Sequence, residues 1–164
     1  MRPVLPVAVS LVLALAACGS EQSGTFEDGE GGEGSYRVNQ ENGVTTSEIK
    51  TEQGTARMES GAGVKANLPK GFALMPGANV ISASNITTEQ GSGSMTMMEI
   101  DKPADEVMTF YRKQAEAAGV KIQLEMNSDG NRMIGGEGKD GLAFSLTASE
   151  SDGKTSAQLM VGTK

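Results

Sequence analysis

The sequence contains no histidine and no tryptophan, and it has a single cysteine among 164 residues. Without histidine the chain lacks the base of Ser-His-Asp and Cys-His catalytic sites, and also the commonest transition-metal ligand. Only six residues are aromatic, two tyrosines and four phenylalanines, which disfavours a sugar-stacking cleft. A hydrolase that works without histidine therefore ranks third among the functional hypotheses, and we expect no enzyme activity.

Basic residues are also scarce, with 14 Lys+Arg against 21 Asp+Glu and a formal charge of −7. Removal of residues 1–17 takes away only Arg2, which leaves 13 against 21 and a charge of −8. Nucleic-acid binding requires a basic face, and a peripheral grip on anionic lipid headgroups requires clustered Lys and Arg. The composition thus excludes nucleic acid as a partner and predicts that any membrane attachment is covalent.

The single cysteine, Cys18, closes the segment Leu15-Ala16-Ala17-Cys18. Upstream lie the charge of Arg2 and an apolar run over residues 4–14, shorter than the roughly 20 residues of a membrane-spanning helix. This arrangement resembles the signal peptide and lipobox of bacterial lipoproteins. The resemblance implies that residues 1–17 are a removed signal peptide. It also implies that Cys18 carries a diacylglyceryl group and a further acyl chain such as palmitate, which anchor the chain to a membrane.

The residue after the cysteine predicts which membrane receives the chain. In Gram-negative lipoproteins an aspartate at that position is the usual mark for retention in the inner membrane. This chain has Gly19 there. The resemblance therefore implies an outer-membrane lipoprotein that faces the periplasm.

The next two segments have little apolar character. Residues 18–34 are predicted to be the lipidated cysteine and a flexible acidic linker, since residues 19–34 hold six glycines, five acids and one large apolar residue, Phe26. Residues 35–66 are predicted to form short polar β-hairpins, one of them marked by the strong turn signal Asn42-Gly43.

Residues 67–164 carry the regular apolar periodicity and are predicted to form the folded domain. Residues 80–86 and 94–100 have the composition of strands, and three runs alternate apolar and polar residues, at 120–126, 142–148 and 157–161. The prediction is an α+β fold. It is an antiparallel β-sheet meander of about six strands with a single α-helix packed on one face (β-β-α-β-β-β-β), preceded by a disordered linker and short β-hairpins. The run 157–161 is predicted to be an edge strand open to a partner strand.

The helix is predicted to begin with Pro103 in its first turn, followed by acids, and to end with Gly119 at its C′ position. Phe110 is predicted to be its main anchor on the sheet. Five residues fall on one predicted helix face, and all but Gln114 suit burial: Val107, Phe110, Tyr111, Gln114 and Ala118.

Two stretches carry a second resemblance. Leu68-Pro69-Lys70-Gly71-Phe72 with Pro76-Gly77-Ala78, and residues 103–119 with Phe110-Tyr111 and Ala118-Gly119, resemble a group of small exported bacterial lipoproteins. In that group a Pro-Gly-Ala loop precedes a strand pair and a Phe-Tyr…Ala-Gly helix. The resemblance covers roughly residues 66–164. The group is functionally uncharacterised, so it implies no catalytic residue and no cofactor.

Three groups of residues could suggest a catalytic or metal site, but a structural role explains each of them better. The acids Asp101, Asp105 and Glu106 lie where a helix start favours negative charge. Residues 127–131 place oxygen ligands at alternating positions, but the loop lacks the glycine and glutamate of a calcium loop. Met95, Met97 and Met98 resemble a Cu(I) thioether cluster, yet only two of them share a strand face. We predict no metal site from any of them.

The sequence therefore predicts a lipid-anchored cell-envelope domain that acts as a non-catalytic adaptor or binding module for an envelope protein. The alternative is a metal-handling periplasmic lipoprotein that uses methionine or carboxylate ligands. Small polar residues at the outward positions of the last strands form the predicted contact face: Ser145, Thr147, Ser149, Ser156 and Gln158.

Overall fold

The computed structural model describes residues 21–27, 32–61, 64–88, 91–128 and 130–163. Within these residues, ten strands and one α-helix follow one another, with a short 3-10 turn before β9. The elements are β1 (Glu21–Glu27), β2 (Glu33–Glu41), β3 (Val44–Thr51), β4 (Gly54–Ser60), β5 (Asn79–Thr88), β6 (Gly91–Ile100), α1 (Ala104–Ala117), β7 (Lys121–Ser128), β8 (Asn131–Glu137), the 3-10 turn (Lys139–Gly141), β9 (Ala143–Ser151) and β10 (Lys154–Thr163).

All ten strands belong to one antiparallel sheet, in the order β1-β2-β3-β4-β5-β6-β10-β9-β8-β7. The first six strands are neighbours in chain order. After α1 the chain returns at the far edge as β7 and runs back through β8 and β9, until β10 closes onto β6. The sheet therefore consists of two meanders that join at the β6–β10 pair.

This architecture shows that the predicted fold class is wrong. The sheet has ten strands rather than six, and the predicted linker and hairpins supply four of them. The prediction failed because it equated low hydrophobicity with disorder, whereas a strand in an antiparallel ladder needs only one apolar face. The strand predicted at the edge, β10, lies between β6 and β9, and the edges are β1 and β7.

Strand β1 is ordered by two reciprocal contacts between an aromatic ring and a glycine. Phe26 lies opposite Gly34, and Tyr36 lies opposite Gly24. A Cβ atom added at Gly34 would stand 2.4 Å from the Phe26 ring, and one at Gly24 would stand 2.6 Å from the Tyr36 ring. Each ring thus covers the bare backbone of the facing strand, a known device for stabilising glycine at sheet edges. Glycine, interpreted in the sequence as a sign of flexibility, here makes room for an aromatic cover.

Two hairpins turn as their sequences predict. Asn42 and Gly43 both have positive φ angles, 51° and 77°, and Asp152 and Gly153 have 52° and 76°. Positive φ at both central residues defines the type I′ turn, whose twist matches that of paired strands. The two-residue turns set the register of β2 with β3 and of β9 with β10.

The core lies between one face of the sheet, here called the helix face, and a cover made by α1 and the loop 64–78. On β9 the helix face carries Phe144, Leu146 and Ala148, all buried. Phe72 of the loop stacks on Phe144 with ring centroids 5.8 Å apart. Most of this cluster belongs to β6, β8, β9 and β10, so the main core occupies only the C-terminal half of the sheet.

Helix α1 has the predicted ends but a different buried stripe. Pro103 is the N-cap residue, and Gly119, with φ of 85°, follows the C-cap. The fully buried helix residues are Ala104, Val107, Tyr111 and Ala115, while Phe110 is only partly buried. The prediction of Phe110 as the main anchor is therefore wrong, since the stripe is rotated toward Tyr111.

Tyr111 is fixed by its hydroxyl group as well as by burial. The hydroxyl donates to Met98 Sδ at 3.2 Å and accepts from the backbone N–H of Met75 at 3.1 Å. Nearby, Gln114 bonds both backbone groups of Ala73, at 2.6 and 3.1 Å. Through these bonds Tyr111 and Gln114 join the loop 64–78 to α1, so the helix and the loop form one connected cover over the core.

We expect Tyr111→Ala to unfold at a much lower temperature than Phe110→Ala. Tyr111 is fully buried, and truncation of a buried aromatic residue costs about 3–5 kcal/mol. For a domain of this size that loss lowers Tm by roughly 10 °C. Thermal melts followed by circular dichroism give the comparison, with Lys113→Ala as the exposed control. A Phe110→Ala variant that melts below Tyr111→Ala would show that the stripe is misassigned.

We also expect an alkaline loss of stability that depends on Tyr111. Burial raises the pKa of Tyr111 above its ordinary value of 10.0, and the hydrogen bond from Met75 only partly opposes this. Because the folded state binds the phenolic proton more tightly than the unfolded state, the stabilisation is complete below pH 10. It declines as the pH rises from there toward the folded pKa.

Urea unfolding at a series of pH values measures this decline. In Tyr111→Phe the alkaline slope should be reduced, whereas Tyr36→Phe, at an exposed tyrosine, should retain it. An unchanged slope in Tyr111→Phe would contradict the assignment.

Candidate binding face

The sheet face opposite α1, here called the open face, carries most of the exposed large apolar residues. Side chains alternate between faces along a strand, and cross-strand partners share a face. By register, nine of the ten exposed large hydrophobic residues that the structure describes lie on this face, and the tenth, Ile81, lies at the bulge in β5. The nine are Phe26, Tyr36, Ile49, Met58, Ile86, Met97, Leu124, Met126 and Met160.

A concave groove of about 340 Å³ lies in the C-terminal half of the open face. Its floor is the pair Gly93 and Gly162, which face each other across β6 and β10. Ile86, Met95 and Met160 stand around this gap. Because the two paired glycines have no side chains, they leave a depression in the open face, and the neighbouring side chains form its walls.

The lining of the groove contains no ionisable residue. Its polar side chains are three serines, and the rest is aliphatic, methionine, phenylalanine or glycine. Its volume lies at the lower end of the range for ligand pockets. Methionine walls adapt to different shapes because the side chain is unbranched and polarisable. The lining therefore suits an apolar group. It contains no residue that could act as a general base and no carboxylate that could bind a metal ion.

The small polar residues predicted to face outward lie on the open face together with this groove. Ser145 lines the groove beside Met160, its cross-strand partner. Thr147 faces Gln158, whose side-chain amide donates to Met95 Sδ at 3.3 Å. The polar residues thus border an apolar depression, and the face is not the flat polar surface that the sequence predicted.

Among the groove residues, the sequence pointed to Ser145 as part of a contact face and to Met95 in a thioether cluster, but it gave no prediction for Gly93, Met160 or Gly162. A signal was present, since Gln158, Met160 and Gly162 are alternate residues of one run and share a face with Gly93 once β6 and β10 pair. The pairing itself has no local signal, so Gly93 and Gly162 had no reason to be considered together.

The acidic cluster at the start of the helix is divided among separate ion pairs. Asp105 pairs with Arg132, Glu106 with Lys102 at 3.0 Å, and Asp101 with Lys154 at 3.2 Å. Within the described ranges no group of three or more His, Cys, Asp or Glu residues is placed to hold a metal ion. The carboxylate form of the metal-handling alternative therefore has no support in that part of the chain.

The other two constellations also have structural roles where they are described. Residues 127–131 join β7 to β8, with Ser128 opposite Asn131, and Asp129 lies outside the described residues. Met95 and Met97 share the open face, and Met98 is buried in the core. Met95 Sδ already accepts the hydrogen bond from Gln158, which competes with a metal for that sulfur. Cys18, the predicted lipidation site, lies outside the described residues.

The helix face of β1–β4 is charged, and its three basic residues form ion pairs with some of its acids. Arg57 bonds Glu59 through Nε at 2.9 Å and Nη2 at 2.7 Å, and its Nη1 lies 4.0 Å from Glu48. The hydrogen bond and charge of Lys50 lower the pKa of Glu48, and Arg57 lowers it further. The cleft beside Arg57 is therefore lined by salt-bridged side chains.

Residues 80–155 match a family model described as START domain-like. The match spans β5 to β9, α1 and the first residues of β10, so it contains most of the groove and leaves β1–β4 outside. It indicates a small binding-type domain in this part of the chain. No curated protein and no solved structure matches the chain. Among the helices that the structure describes, none has the length and apolar character needed to cross a bilayer.

Proposed function

We propose that this chain is a lipid-anchored binding module of the bacterial outer membrane that faces the periplasm and has no catalytic role. The segment Leu15-Ala16-Ala17-Cys18 supports the anchor, and Gly19 in place of aspartate supports the outer membrane. Two or more acyl chains hold a protein stably at a membrane. An acidic domain therefore needs no basic patch of its own to stay there.

The groove between β5, β6, β9 and β10 is the binding site in this proposal. It is the observation that carries the function, because a depression lined by apolar side chains on an exposed sheet face is an unfavourable surface to leave in water. The START domain-like match over residues 80–155 supports a binding role for the same part of the chain.

The partner is an envelope protein that inserts an apolar side chain over Gly93 and Gly162, beside Met95 and Met160. Ser145, Thr147 and Gln158 border that position on one side and supply part of the polar rim that interfaces usually have around an apolar centre. No group in the lining supplies an acid or a base, which supports binding rather than turnover.

Acylation of Cys18 is the first prediction. In a bacterial host the wild-type chain should incorporate a fatty-acid probe, and Cys18→Ser should lose the label and accumulate as the unprocessed precursor. Metabolic labelling and the mass of the purified chain measure both effects. Label that persists in Cys18→Ser would contradict the anchor.

The groove is tested by crosslinking in intact cells, with a photoreactive residue at Ser145, Thr147 or Gln158. We expect one defined adduct from these positions and none from Lys113, which lies on the exposed side of α1. The substitution Gly93→Leu should reduce the adduct at least tenfold, because its side chain fills the groove.

Gly93→Leu is a suitable blocking variant, since a Cβ atom at Gly93 has no neighbour closer than 3.8 Å. The variant should therefore keep the wild-type Tm. Adducts that are equally strong from Lys113, or unaffected by Gly93→Leu in a folded chain, would contradict the groove as the binding site.

A further inference from the structure

Strands β1–β4 carry all their charged side chains on one face of the sheet and their large exposed apolar side chains on the other. Their register places every charged side chain on the helix face and none on the open face. The open face of the same strands carries Phe26, Tyr36, Ile49 and Met58, which are between 37% and 51% exposed. The charged residues are Glu21, Glu27, Glu33, Arg37, Glu41, Glu48, Lys50, Arg57 and Glu59.

Antiparallel strands with this alternation normally bury the apolar face and leave the charged face in water. In β1–β4 no described residue packs over the apolar face, because α1 and the loop 64–78 lie on the other side of the sheet. A contiguous exposed apolar patch of this kind is typical of an interaction site. Something outside the described chain segment therefore covers it.

We propose that a second copy of this chain covers the open face of β1–β4, with the two four-stranded layers packed face to face about a two-fold axis near β2 and β3. A two-fold interface opposes a surface to itself. The open face of β1–β4 can pack against the same face of a second copy because it carries no charge, so the two copies do not repel each other there although the whole chain has a formal charge of −7. The ion pairs of both copies stay on the outer faces, in water.

The size of the patch fits a modest dimer. Strands lie about 4.8 Å apart and rise about 3.3 Å per residue, so β1–β4 present a surface of about 19 Å by about 27 Å. Counted over both copies this is about 1,000 Å², the smallest area expected of a specific interface. Lipid anchoring in one membrane raises the local concentration of the two copies and favours a contact of this size.

A bilayer is the less favoured occupant. A lipid surface attracts proteins through clustered Lys and Arg, and the open face of β1–β4 has neither. The dimer is also compatible with the groove, which lies on β5, β6, β9 and β10 and is displaced from the proposed axis. The two proposals can therefore fail separately.

Crosslinking with a short bismaleimide tests the dimer in envelope membranes, with two differently tagged copies of the full chain expressed together. Ser47→Cys places a thiol on the open face in the middle of β3, and Glu48→Cys places one on the opposite face of the same strand. We expect an adduct that contains both tags from Ser47→Cys and not from Glu48→Cys. The parent chain, with Cys18 as its only cysteine, is the blank.

A second substitution in the Ser47→Cys chain tests the apolar contact itself. Ile49→Lys puts an unpaired charge into the proposed interface, so the adduct should fall at least tenfold. Thr46→Lys, on the helix face of the same strand, should leave the adduct unchanged. Protease resistance of each variant shows that it is folded. If Ile49→Lys does not fold, the comparison of Ser47→Cys with Glu48→Cys decides.

Three outcomes would overturn the dimer. The first is an equal adduct from Ser47→Cys and Glu48→Cys. The second is an adduct that carries only one tag and the mass of another protein. The third is the absence of an adduct together with a Ser47→Cys thiol that a membrane-impermeant maleimide labels only after detergent is added. That result would show that a bilayer covers the face. None of these outcomes alters the expected crosslinks at Ser145, so the groove is judged independently.

Discussion

The antiparallel pairing of β6 with β10 is the contact on which the rest of the structure depends. The two strands are separated in the chain by α1 and three strands, so their pairing closes the longest loop of the fold. It joins the two meanders into one sheet and places Leu159 and Val161 in the core beside Met98. On the other face the same register opposes Gly93 to Gly162 and Met95 to Met160. One pairing thus creates both the closed core and the groove.

The two faces of the sheet differ because covering elements exist only on one side. Helix α1 and the loop 64–78 bury the C-terminal half of the helix face. Hydrogen bonds of Tyr111 and Gln114 to the loop backbone join these two covering elements. The helix face of β1–β4 is charged and partly ion-paired. Most of the exposed large apolar residues that the structure describes fall on the open face.

Much of the secondary structure was predictable because its causes are local. The ends of α1 follow from Pro103 and Gly119, and the hairpins at Asn42-Gly43 and Asp152-Gly153 follow from residues that accept positive φ. The predicted helix stripe contained Val107 and Tyr111, but it took Phe110 rather than Tyr111 as the main anchor, since the two residues are adjacent and both aromatic. The hydroxyl partners Met75 and Met98, which select Tyr111 for burial, are distant in sequence.

The sequence by itself determined the helix, the type I′ turns, most strands and the absence of histidine chemistry, because each depends on residue type or on neighbours a few positions apart. Only the tertiary structure decided that β1–β4 join the sheet, since Phe26 and Tyr36 acquire their order from glycines on the facing strand. It alone decided which side of the sheet α1 covers. The groove also follows from the tertiary structure, because Gly93 and Gly162 meet only through a strand pairing that no local pattern encodes.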